Sequence, residues 1–119
     1  MTESLFERLG GEAGIRQIAS DLVDIHLANP AISHRYIDSD AEKVKNGAAT
    51  FFITGTGGPA CYEGKDMVGT HRGMNISNDE FMAVLDDVIE ALKKNDIGQR
   101  EQEEVLYTFF SMKGEVVGQ

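Results

Sequence analysis

Apolar residues in this chain recur at the three-and-four spacing of a helix. Nowhere do they alternate with polar residues over the length of a strand, so the fold has to come from helices packing on one another. Ile15, Ile18, Ala19, Leu22 and Ile25 follow one helical face, which Val23 and Leu27 widen. Val44, Ala48, Phe51 and Phe52 make a second stripe, and Phe81, Leu85, Val88, Ile89 and Leu92 a third. Val105, Phe109, Met112 and Val116 mark a last helix. Start signals agree: Ser4 with Glu7, Ser39 with Glu42, and Ser77 with Glu80 all have capping-box spacing. Stops fall at Gly10-Gly11, before Pro30, and at Gly55-Thr56-Gly57-Gly58-Pro59. The reading is an all-α domain of four main helices with short accessory turns. One such turn carries Ile32, Tyr36 and Ile37, and another spans Asp66 to Gly73.

A chain of 119 residues has room for one core, so residues 1–119 are read as a single domain. The net charge of −9 repels phosphate backbones and anionic membrane surfaces, which argues against a nucleic-acid or membrane partner. No apolar run approaches the roughly 20 residues that span a bilayer, and the first residues carry no export signal. Cys61 is the single cysteine, which excludes an internal disulfide. The expectation is a soluble, reduced, cytoplasmic protein. Asp38-Ser39-Asp40, Asp86-Asp87 and Glu101 to Glu104 read as solvated acidic faces.

The centre departs from an ordinary bundle. Residues 55–64 hold Gly55, Gly57, Gly58, Gly64 and Pro59, longer than the roughly 2–8 residues that usually join helices. Something needs space there. Three histidines are available, His26, His34 and His71, and none has a partner at metal-ligand spacing, so a zinc site is not expected. Taken alone, His71 reads as an ordinary surface or core histidine, and Cys61 has no obvious base beside it.

Leu5-Phe6-Glu7-Arg8-Leu9-Gly10-Gly11, then Gly57-Gly58-Pro59, Tyr62-Glu63-Gly64, Met67 and His71 together resemble the truncated haemoglobins, most closely group I. The resemblance runs from Leu5 to Val117. It implies a two-over-two helical sandwich around haem b (iron protoporphyrin IX), with His71 as the proximal iron ligand. It also implies that the glycine loop and short helix wrap a planar cofactor. Phe51, Phe52, Met67, Phe81, Val84, Leu85 and Val88 fall at porphyrin-facing positions, where plain core packing is the competing reading. Tyr62, Lys65 and Arg72 are candidates to reach the propionates.

The chain departs from the group I pattern on the distal side. Val23 stands where a tyrosine is common, Ala48 where a glutamine is common, and Val44 at the gate position. A hydrogen bond to a charged acceptor contributes roughly 1.5–3 kcal/mol, about one to two decades in affinity. Loss of the tyrosine–glutamine pair therefore predicts weaker oxygen retention and faster oxidation. Two residues could compensate. Tyr36 holds a position that is usually Phe, and His34 is the candidate distal ligand of a six-coordinate haem. His26 is expected to point away from the iron. The resemblance implies reversible binding of O2, NO or CO. The alternatives are a six-coordinate redox or gas-sensing protein, or a nitric oxide dioxygenase that needs a reductase partner. The expected assembly is a monomer or weak homo-oligomer.

Overall fold

The structure, a computed structural model, describes residues 4–62, 69 and 71–118. Helix α1 is Leu5–Arg8, α2 Gly11–Ala28 and α3 Ala41–Gly55, with a 3-10 turn at Ser33–Tyr36 between the last two. After the central segment come α4 at Asn78–Lys94, α5 at Gln99–Ser111 and the short α6 at Lys113–Val116. The described residues form no strand, only one isolated bridge between Ile76 and Val117. Thus α2, α3, α4 and α5 are the four main helices of the sequence reading.

Local chemistry explains most boundaries. The Ser4 hydroxyl accepts the Glu7 N–H at 3.2 Å and starts α1. The Ser77 hydroxyl accepts the Glu80 N–H and the Glu80 carboxylate accepts the Ser77 N–H, both at 3.1 Å, a complete capping box on α4. Helix α2 ends at Ala28, and the Asn29 side chain accepts the Ala31 N–H as the chain turns through Pro30.

Two expectations need correction. The N-cap of α3 is Asp40, not Ser39: its carboxylate accepts the Glu42 and Lys43 N–H groups, and a charged acceptor suits a helix N-terminus better than a hydroxyl. The last helix is not continuous through Val116. The Ser111 hydroxyl donates to the Thr108 carbonyl at 2.6 Å, Met112 caps α5, and the chain restarts as α6.

The helices enclose a main core of Leu9, Ile15, Ile18 and Leu22 against Phe52 and Ile53 of α3, Val88, Ala91 and Leu92 of α4, and Val105 of α5. A second cluster joins Ile76, Phe81, Leu85 and Val116, with Met74, Leu106, Phe109 and Val117 packed on it. Helix α1 closes over the end of α3, where the Phe6 N–H donates to the Thr56 carbonyl at 2.9 Å. That closeness requires Gly58. A Cβ there would lie 2.5 Å from the Phe6 ring and 2.9 Å from the Ile53 carbonyl oxygen. Gly58→Ala is therefore expected to destabilise the fold by about 1–3 kcal/mol, read as an earlier urea midpoint at unchanged slope.

Candidate functional site

A pocket opens beside the second cluster, enclosing about 690 Å3 including its mouth. Helical geometry supplies one wall: Glu80, Phe81 and Val84 share a face in the first turns of α4. Ile32, Arg35 and Tyr36 come from the 3-10 turn and the residue before it. Phe109, Met112 and Val116 come from the α5–α6 corner, and His71, Met74 and Ile76 from the segment ahead of α4. The described lining is mostly aliphatic, aromatic and thioether, with Arg35, Tyr36, His71 and Glu80 as its polar members.

Those polar members differ in what they can do. The Arg35 guanidinium is spent on a fork: Nε donates to Glu80 at 2.7 Å, Nη2 to the other carboxylate oxygen at 2.9 Å, and Nη1 to the Met74 carbonyl at 2.8 Å. This guanidinium holds the Glu80 carboxyl down at about 2, aided by the Ser77 cap. The pair is thus charged on both sides and neutral overall. Its stabilisation is complete above the ordinary glutamate range and is lost as pH falls toward about 2, because the unfolded chain takes up that proton first. Arg35→Met is expected to give a shallower loss of thermal stability across that acid window, measured by circular dichroism melts. His71 is half-buried on the pocket wall and its carbonyl accepts the Met74 N–H at 3.0 Å, closing the turn that follows it.

Tyr36 stands over a buried polar cluster. Its ring stacks on His26 with centroids 6.0 Å apart and planes 9° from parallel. The His26 Nδ1–H donates to Asp87 at 2.7 Å, and Asn29 Nδ2 donates to both oxygens of the same carboxylate at 3.1 Å. Burial pushes the His26 imidazole below its ordinary value despite Asp87, so it is neutral near pH 7. Burial, with Asp87 behind it, pushes the Tyr36 phenol up. Asp87 is 5% exposed and corrects the reading of Asp86-Asp87 as a solvated face: one step along α4 turns position 87 inward beside Val88. Glu101 and Glu104 likewise hold Arg8 rather than water alone.

Of the residues singled out from the sequence, the pocket brings together His71, Tyr36, Phe81 and Val84. Phe52 and Val88 lie behind it in the main core, Phe52 touching the pocket-lining Phe109 at 5.1 Å between ring centroids. Leu85 sits in the second cluster. Phe51 packs edge-on to Tyr62 and is not among the lining residues. Val23 is buried in α2, and Val44 and Ala48 are half-buried on α3; none of the three lines the pocket. Arg72 is exposed. The His34 side chain is 58% exposed and sits 3.9 Å from Glu80. Met67 and Lys65 lie outside the described residues, as does most of the accessory turn expected at Asp66 to Gly73. The sequence reading missed Arg35, Met74, Ile76 and Glu80 as lining, and took Ile32, Phe109, Met112 and Val116 only as apolar residues of helices or turns; Glu80 was legible only as a capping residue.

Among the described residues no group of three or more His, Cys, Asp or Glu side chains is placed to hold a metal ion directly. An imidazole facing an apolar pocket does match the donor chemistry of a ligated porphyrin iron, whose remaining ligands come from the ring itself. The residues therefore fit such a group.

Comparison with known proteins agrees. A family model described as bacterial-like globin matches residues 4–117. A group 1 truncated hemoglobin of Tetrahymena thermophila is 30% identical over 91 residues, covering 76% of this chain and 75% of the relative. Another from Nostoc sp. is 24% identical, covering 96% and 97%. A solved truncated hemoglobin from Tetrahymena pyriformis in its Fe(III) form superposes with a TM-score of 0.94 at 24% identity over 98% of this chain and 100% of that one. A 2/2 hemoglobin from Synechococcus, solved with covalently attached heme, superposes with a TM-score of 0.87 at 21% identity over 95% of each chain. Both likenesses show the fold.

Proposed function

Because the chain belongs to the bacterial-like globin family, alongside the group 1 truncated haemoglobins, we propose that it holds haem b against His71 and binds a diatomic gas there. The observation that carries this reading is the pairing of the His71 imidazole with an apolar, aromatic-walled pocket. Haem supplies an iron with one coordination position left for a gas. The rest is done by the protein. Phe81, Val84, Phe109 and Met112 exclude water and give the porphyrin plane an apolar seat. Phe52 and Val88 support that seat from the core, with Phe51, Tyr62, Met67 and Arg72 proposed at the ring's remaining edges.

Tyr36 is the one tyrosine on the described lining, while Val23, Val44 and Ala48 supply no hydrogen-bond donor from their side chains. We assign Tyr36 as the group that steadies a polarised gas ligand. Tyr36→Phe is expected to speed oxygen dissociation about tenfold to a hundredfold while changing carbon monoxide release much less, measured by stopped flow. His34 is turned toward Glu80 and solvent, which favours an open sixth position over ligation by His34. Absorption spectra of the purified protein in ferric, ferrous and carbon monoxide forms test the whole reading. A preparation that takes up no haem overturns it.

A further inference from the structure

Beneath the pocket, the His26–Asp87–Asn29 cluster is polar, buried and unused by the gas-binding reading. Burying these groups stabilises nothing by default; a core of apolar side chains would do as well. What the cluster does is fix geometry at a point where three elements meet. His26 comes from the last turns of α2, Asn29 from the bend after it, and Asp87 from the middle of α4. The Asp87 carboxylate accepts from His26 on one side and Asn29 on the other, so the imidazole plane cannot rotate without breaking a 2.7 Å bond. That plane is the platform on which the Tyr36 ring lies, nearly parallel. Tyr36 also lines the pocket. The adjacent Arg35 ties the same turn to α4 through Glu80. Asn29 ahead of the turn and Arg35 within it are thus both tied to α4, through Asp87 and Glu80, and the aromatic stack settles where the Tyr36 phenol sits.

We propose that His26 and Asp87 are positioning residues for Tyr36, holding its ring at a fixed tilt over the pocket and thereby setting the reach of its hydroxyl. The proposal rests on the gas-binding reading for its purpose but not for its geometry. Neither residue touches the gas; each acts through the tyrosine.

The variant His26→Leu with Asp87→Asn removes the platform without leaving a buried charge behind. Two measurements follow. In the haem-free protein, the ring-flip rate of Tyr36, read by NMR of labelled tyrosine, rises at least about tenfold. Val105→Ala, which loosens the main core elsewhere, leaves that rate unchanged. In the haem-loaded protein, the infrared stretch of carbon monoxide shifts in the pair variant, and shifts in Tyr36→Phe. The pair variant adds nothing once Tyr36 is phenylalanine. An equal shift with and without Tyr36 shows that the pair acts by another route and overturns the proposal, as does an unmoved ring-flip rate. Should the wild-type protein take up no haem, the gas-binding reading falls while the ring-flip rate alone decides the positioning role.

Discussion

Replacing His71 with alanine is expected to weaken haem retention by more than about a hundredfold, since changing even an outer partner of a metal ligand costs 10–100-fold. Elsewhere on the described lining, Phe81, Val84 and Phe109 offer a flat ring apolar contact and carry no atom that could ligate an iron. His71→Ala removes the one imidazole on the described lining and little packing, because the residue is only half-buried. The helical circular dichroism of the haem-free variant should match that of the haem-free parent. Haem transfer to an excess of a scavenging globin measures the retention, and added imidazole should restore part of it by entering the vacated space. A variant that keeps haem as long as the parent removes His71 from the iron.

The second large effect concerns stability. His26→Ala leaves the Asp87 carboxylate buried with Asn29 as its remaining partner. Losing a hydrogen bond to a buried charged acceptor typically costs about 1.5–3 kcal/mol, a large part of the roughly 5–15 kcal/mol that holds a small domain together. Adding Asp87→Asn should return much of the loss, because the charge is then gone. Urea denaturation of the single and double variants makes the comparison. Acidity gives an independent check. The folded imidazole binds a proton less readily than the unfolded one, so its contribution is whole above the ordinary histidine range and erodes as pH falls below it. That erosion should be absent from both variants. A parent whose stability is flat across the mildly acid range would contradict the burial argument.

What could be read in advance follows the range of each interaction. Ser4 with Glu7 and Ser77 with Glu80 act within one helical turn, so their spacing alone marked α1 and α4. The apolar stripes were legible for the same reason: Ile15, Ile18, Leu22, Val88 and Leu92 are all in the main core. The α3 start misled by one residue because Ser39 and Asp40 are both good caps and only the backbone decides between them. Asp87 misled more seriously. Beside Asp86 it looks like half of a solvated pair, and what makes it internal is His26, sixty-one positions earlier. Arg35 gave no local sign of its partner Glu80, forty-five positions later. His71 was indistinguishable from a surface histidine until the resemblance gave it a role. The pocket around it then supplied a physical context.

Glu80 serves two structures at once. One carboxylate closes the α4 capping box and grips the arginine on the pocket wall. Selection or engineering at position 80 therefore cannot adjust this wall of the pocket without also fraying the helix that carries Phe81 and Val84. Anyone wishing to reshape that wall would do better to begin at position 35, where a change gives up the tie to Glu80 and Met74 but leaves the Ser77 cap in place.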